Sequence, residues 1–465
     1  MGSYQGPFPT GLSLFTVLPQ HLIERLLYCS GLNAKDLAAL RCAAQLEKVY
    51  TVAAAAEAAA AVLVYAHPNG AALFNNKLPS ETWISLLMFV QRLDGAARPT
   101  GATEVWTAGR NEFGQGARPG HVDQNTITQS YRMASDAYEF ESPPARIIAV
   151  KAGAHHSLAV SELGALHVAG ANHRGQLGLG DLSLRSAWTP VLDLKWARVA
   201  QVACGLGHTA VLTGEGFVLV TGANDFGQLG LGDRAQRLRF TKVGLPPARM
   251  IATGNAHTVV LLENGSVYAS GDNSRGQLGG RRDRGRDKFA PIGCFGRQVV
   301  RIACGSDTTM LLTVDNMILV TGKRHCGLSV IGGLGMSRVT HLSVGEGFAV
   351  ASTDESEVAV SVHRKRFQVT DELLHISASC VSAGLSHYAI TTDDGCVFAT
   401  GTNTFGQVAA GEMGLTIEGS QNARVVRPHR VPLSRVAVPP GYRALCVAAG
   451  MFHTLFLLEK EEPCV

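Results

Sequence analysis

Residues 202–233 read VACGLGHTAVLTGEGFVLVTGANDFGQLGLGD, and residues 150–181 read VKAGAHHSLAVSELGALHVAGANHRGQLGLGD. The two align without a gap, and a third copy, MIATGNAHTVVLLENGSVYASGDNSRGQLGG, occupies residues 250–280. Each carries a G-x-x-H element and, about 17 residues later, a G-x-N-x-x-G-Q element. Between them, as in HTAVLTGEGFVLVTG, apolar residues flank a glycine turn at Gly214 and Gly216, the signature of a strand, a tight turn and a second strand. Self-similarity at this period marks a repeat architecture.

Further from this core the two elements recur with increasing drift. The first stands at Gly153, Gly205, Gly254, Gly305, Gly345, Gly384 and Gly450, with Thr308 and Phe348 replacing the histidine in two copies. The second stands at Gly109, Gly170, Gly222, Gly271 and Gly401, is degraded at Gly322 (GKRHCG), and is nearly erased around Ser361 (SVHRKRF). Both series come to seven, at spacings of about 40–66 residues, which suits blades of four strands. The outermost copies are halves. EVWTAGRNEFGQ (residues 104–115) has no G-x-x-H partner before it, and VAAGMFHTLFLLE (residues 447–459) has no G-x-N partner after it. Joining the halves in one blade removes two open sheet edges. Residues 101–460 are thus predicted to be all-β, a seven-bladed β-propeller closed by pairing of its N- and C-terminal strands.

These motifs, above all GANHRGQLGLGD, GANDFGQLGLGD, GDNSRGQLGG and GTNTFGQ, resemble the regulator of chromosome condensation repeat family, over roughly residues 102–460. Known members form seven-bladed propellers. The resemblance implies three kinds of function. One is nucleotide exchange on a small GTPase, through loops on one propeller face; in that family the residues that carry it lie outside the repeated core. A second is sensing of ultraviolet light through tryptophans in G-W-R-H-T motifs. The copies here read GLGHT, GNAHT and GSDTT, and the four tryptophans (83, 106, 188, 196) lie elsewhere, which argues against it. The third is a platform for protein partners.

Composition fits this frame. Fifty-two glycines exceed the usual share of roughly 7%, and a net charge of +4 implies no strong polyanion field. The ten cysteines show no C-x-x-C pair and no spacing that suits zinc. Cys204, Cys304 and Cys446 lie in apolar runs, as small hydrophobes. A reducing compartment, cytoplasm or nucleus, is expected. The start lacks a basic region followed by an apolar one, and residue 6 is glycine, which fails the myristoylation pattern. The longest apolar run, residues 52–66, carries Glu57 and is too short to span a bilayer.

Residues 1–100 form a separate, helical module. Leu22, Ile23, Leu26 and Leu27 make one apolar stripe. Asn33 suits the cap of a second helix. Residues 52–65 and 80–93 are predicted as a third and fourth, the last capped by Ser80. The pattern L-P-x-x-L-I-x-x-L-L…D-L-x-x-L-R over residues 18–41 resembles an F-box. That resemblance implies docking on the adaptor of a cullin–RING ubiquitin ligase, with Leu18, Pro19, Leu22 and Leu26 as adaptor contacts. A plain helical cap on the propeller is the alternative.

Repeated histidines invite a metal or catalytic reading. A ligand set must converge within about 2.1 Å of one ion, whereas repeat symmetry spreads His156, His208, His257, His387 and His453 around a wide ring. They are read as structural, hydrogen-bonded within or between blades. Asn172, Asn224, Gln176 and Gln228 are read as turn-stabilising amides. No phosphate loop, H-E-x-x-H or G-x-S-x-G occurs, so no catalytic residue, cofactor or metal is expected. Two basic runs remain: Arg281, Arg282, Arg284, Arg286 and Lys288, with Asp283 and Asp287 among them, and Arg364, Lys365 and Arg366. They suit an acidic partner surface or phosphate, or are solvated loops. No interleaved aromatics would stack bases, which disfavours nucleic acid. The expected function is a non-catalytic interaction module, a substrate receptor if the F-box holds, with exchange on a small GTPase as the alternative.

Overall fold

A computed structural model describes residues 57, 60, 61, 63, 64, 82–92, 101–118, 123–130, 146–294, 296–323, 325–331, 337–355, 357–362, 366–369, 371–374, 376–410, 415–418 and 425–461. The chain divides into two compact units, residues 1–94 and 95–465.

The larger unit holds seven antiparallel blade sheets and one small hairpin, Leu415–Glu418 with Val425–Pro428. Blade I is typical, running from the inner to the outer strand as Ile147–Ala152, His156–Ser161, Leu166–Gly170 and Arg185–Pro190. Blade II spans residues 199–242, blade III 248–291, blade IV 299–331, blade V 339–362 and blade VI 378–436. Blade V has three strands among the described residues. Blade VII is assembled from both ends of the unit. Strand Thr103–Gly109 pairs with strand His453–Lys460 in continuous register from Thr103↔Glu459 to Gly109↔His453, flanked by Gln124–Gln129 and Tyr442–Ala449.

The second strand of blades I to IV is buried at every position. Alternation disappears there because each blade is covered on both faces by its neighbours. The apolar core is accordingly not central. Each of seven buried clusters joins successive blades, for example Leu158 and Val160 with Val202 and Val211, or Ala303 and Met310 with Val344 and Ala349. Around the axis a cavity of about 80 Å³ remains, ringed by the first glycine of each G-x-x-H element. That is space for a few waters.

Those glycines are required by close approach. A Cβ on Gly205 would lie 2.2 Å from His208 Cε1 and 2.7 Å from the Gly254 carbonyl oxygen, and the His208 ring is itself bonded to the next blade. Gly205→Ala is expected to cost about 1–3 kcal/mol, read as a fall in thermal midpoint. Gly244→Ala, where nothing lies within 4 Å, serves as the neutral control. Equal midpoints for the two would refute the argument.

In the smaller unit, helix α1 (Trp83–Arg92) buries Ile84, Leu86, Leu87, Phe89 and Val90. Thr82 caps its first turn; Ser80, the predicted cap, lies outside the described residues. Thr82 Oγ1 accepts the Ser85 amide and Ser85 Oγ accepts the Thr82 amide, each at 3.0 Å, a reciprocal box. Glu57 Oε2 accepts the Trp83 amide. The predicted adaptor contacts Leu18, Pro19, Leu22 and Leu26 lie outside the described residues. No described helix is long and apolar enough to cross a membrane.

Candidate partner-binding face

In every intact repeat the histidine pairs with the glycine that opens the second element, as in His156↔Gly170 and His208↔Gly222. Both loops therefore leave the blade at the same end, and their variable residues gather on one face of the ring.

The constant residues build that face. Asn172 Oδ1 accepts the Leu177 amide, its Nδ2 donates to Asp181, and Gln176 Oε1 accepts the Arg174 amide. Asn224 with Gln228 repeats the arrangement. Each turn then locks to the next blade. Thr209 Oγ1 of blade II donates to the Gln176 carbonyl at 2.7 Å and lies 3.0 Å from His156 Nε2. The hydroxyl's single hydrogen goes to the carbonyl, so His156 Nε2 is the donor, and burial favours the neutral ring. The same latch joins His208 to Thr258, His257 to Thr309, His387 to Thr454 and His453 to Ser157. Burial depresses these imidazoles, to about 3 for His156 and His208 and to about 4 for His257 and His387. His453 is held well below its ordinary value by burial. Among the described residues, no group of three His, Cys, Asp or Glu could hold a metal ion.

Two latches are missing. In blade IV the histidine position is Thr308, whose buried Oγ1 has no partner among the described residues. In blade V it is Phe348, which packs on Tyr388 of blade VI with ring centroids 5.9 Å apart.

The variable residues divide the face by chemistry. Across blades VI, VII and I they form an aromatic cluster. The Arg110 guanidinium lies 4.8 Å from the Phe405 ring centre, 5.3 Å from Phe452 and 6.0 Å from Phe113, and pairs with Glu112. His155 meets Phe113 edge-on at 5.0 Å and Phe452 at 5.6 Å. Burial and Arg110 lower its pKa. The three phenylalanines are only partly buried. Across blades III to V the same positions carry Asp272, Arg275, Asp307, Lys323 and Glu346, with Lys323 Nζ 3.0 Å from Glu346. Burial raises the Asp307 pKa against Lys323 and Arg275. The constant residues of the repeat mask the aromatic cluster in the sequence. Its signal is the set of variable positions in GRNEFGQ, GAHH, GTNTFGQ and GMFH.

The basic run of blade III is not one loop. Arg281, Arg282 and Arg284 are exposed in the connection, whereas Arg286 and Lys288 belong to the outer strand Arg286–Pro291, with Arg286 paired to Gly271. Lys288 also bridges back to Leu231 of blade II. Arg366 is exposed after the last strand of blade V; Arg364 and Lys365 lie outside the described residues. Of the tryptophans, Trp188 is buried and Trp106 packs on Tyr442. Trp196 is exposed and Trp83 sits on α1.

Comparison with known proteins places these features. The family model described as the RCC1-like domain matches residues 99–456. An 88-residue stretch is 47% identical to the human X-linked retinitis pigmentosa GTPase regulator, covering 19% of this chain and 9% of that protein. An 82-residue stretch is 44% identical to a secretion-regulating guanine nucleotide exchange factor of Bos taurus, covering 18% of each. Over 327 residues the chain is 28% identical to the ultraviolet-B receptor UVR8 of Arabidopsis thaliana, covering 70% of this chain and 53% of that protein. The chain thus spans about half or less of these relatives. Among solved structures, Prp20p from Saccharomyces cerevisiae, described with its binding properties to Gsp1p and histones, superimposes with a TM-score of 0.66 at 16% identity, over 80% of this chain and 95% of that one. Human WBSCR16 gives 0.63 at 20% identity, over 78% and 100%. At these identities the likeness is one of fold.

Proposed function

This chain belongs to the RCC1-like domain family, and from that premise we propose that it is a protein-interaction platform whose partner docks on the face bearing Arg110, Phe405 and Phe452. One observation carries the reading. A partly exposed cluster of three phenylalanines around an arginine is the composition of an interface anchor, and it is built from variable positions that the repeat scaffold does not use.

The finer reading makes the propeller a substrate receptor, with residues 1–100 recruiting a ubiquitin-ligase adaptor through Leu18, Pro19, Leu22 and Leu26. A second reading, exchange of guanine nucleotide on a small GTPase, is favoured by the names of the GTPase regulator and exchange-factor relatives. The test is affinity purification of the full chain, with and without Phe405→Ala/Phe452→Ala, partners being identified by mass spectrometry. Truncating central aromatic anchors costs about 2 kcal/mol or more each, so the double variant is expected to lose the partner while keeping its thermal midpoint. Equal recovery by both would sink the reading. A ligase adaptor and cullin lost on Leu22→Ala/Leu26→Ala supports the receptor role. A small GTPase released on addition of GTP supports exchange instead.

A further inference from the structure

The loops that follow the G-x-N-x-x-G-Q turn have equal length in blades I, II and III, yet one has been rebuilt. In blade I, Asp181 accepts from Asn172 and Ser183 and pairs with Arg185 at 2.6 Å. In blade II, Asp233 does the same with Asn224, Ala235 and Arg237. In both, the loop's aspartate and arginine neutralise each other. In blade III, Asp283 takes over the acceptor role, receiving Asn273 Nδ2 at 3.0 Å and the Gly285 amide at 2.8 Å. The positions of Gly180, Asp181 and Ser183 in blade I are here Arg281, Arg282 and Arg284. The Arg281 carbonyl accepts from Asn273, and the three side chains are exposed with no ion-pair partner among the described residues. From residue 271 to 286 the loop carries five arginines against two aspartates, where blade I has two and one and blade II has two and two. None of these hydrogen bonds uses a guanidinium.

We infer that the loop at residues 281–284, on the rim of blade III, binds an acidic polypeptide segment through Arg281, Arg282 and Arg284. The Gly271↔Arg286 pairing brings this loop out at the same end of the blade as His257, which pairs with Gly271 in turn. It therefore borders the face assigned above to a partner, and the inference rests on that reading of the face. Guanidinium groups present planar forks that match carboxylates. Asp272, Asp283 and Asp287 interrupt the positive charge, and the 281–284 loop has no aromatic side chain. A continuous phosphodiester backbone would meet those carboxylates; a peptide with discrete Glu and Asp side chains need not.

The test uses the full chain and fluorescence anisotropy with two probes, a 16-residue poly-glutamate peptide and a single-stranded oligothymidine of equal charge. Each exposed pair is worth only about a two-fold change in affinity, so Arg281→Ala/Arg282→Ala/Arg284→Ala is expected to weaken peptide binding about tenfold. The affinity falls with added salt. The same three positions changed to lysine retain part of the binding. Peptide binding that survives the triple alanine change, or is absent from the native chain, overturns the inference. Tighter binding of the oligothymidine, lost with the same arginines, replaces it with phosphate recognition. Failure of the aromatic face is read separately, by partner recovery rather than anisotropy.

Discussion

Acidification from pH 7 to pH 4 is expected to unfold the propeller, with protons taken up by His156, His208, His257, His387 and His453. Each imidazole is a neutral donor in its inter-blade latch, and burial disfavours its charged form. Above the unfolded value near 6.5, both states are neutral and stability does not change with pH. Below it the unfolded chain binds protons that the folded ring refuses, so stability falls as pH drops, down to the folded values of about 4 and about 3. Each pH step of one across that window weakens a latch by about 1.36 kcal/mol, or on the order of 3–5 kcal/mol by its end. A domain's whole stability is about 5–15 kcal/mol. Circular dichroism followed from pH 7 to pH 3.5 should show one steep transition above pH 4. His387→Gln keeps a side-chain donor and removes a titrating group, so its transition should be shallower and lie at lower pH. A native spectrum at pH 3.5 would remove the latches from the account of stability.

The second large effect concerns closure. A chain ended at Pro440 keeps six blades but loses strands Tyr442–Ala449 and His453–Lys460, and with them the buried Val447, Leu455, Phe456, Leu457 and Leu458. At about 1.5–3 kcal/mol for each buried side chain, this loss reaches or exceeds the stability of an ordinary domain. It also strips both neighbours of blade VII, since two of the seven clusters contain these residues. The truncated chain is expected to show no cooperative thermal transition. The reciprocal experiment keeps every strand. The Lys460 amide donates to the Ala102 carbonyl at 3.0 Å, so a short linker from Glu461 to Gly101 spans the ends. New termini at Gly293, where nothing crowds the backbone, fall between blades III and IV. This permutant should melt close to the native propeller. A truncated chain melting at the native midpoint would show that the shared blade contributes nothing.

Most of the architecture was legible because a repeat states the same solution several times. The half-motifs at residues 104–115 and 447–459 disclosed even the shared blade, since a strand edge has to be covered. The candidate site was less legible for the opposite reason. Arg110, Phe113, Phe405 and Phe452 stand at positions where the repeats disagree, and lie far apart in sequence until the ring closes. Arg286 and Lys288 read as loop because a run of charge implies solvent exposure, whereas an outer strand has one free side and tolerates it. Thr82 caps α1 because Ser85, three residues on, completes a reciprocal box with it.

The two missing latches make the ring mechanically uneven. From blade VI through VII, I and II to III, every junction carries the same directional bond into blade IV, a stiff arc of hoop. At the junction of blades IV and V that bond is absent, and at the next it is replaced by one aromatic contact. A load applied to such a hoop strains its compliant sector first. The Arg110 cluster lies on the stiff arc, so partner contacts there are made against a backing that yields little, and the deformation is taken up on the far side of the axis.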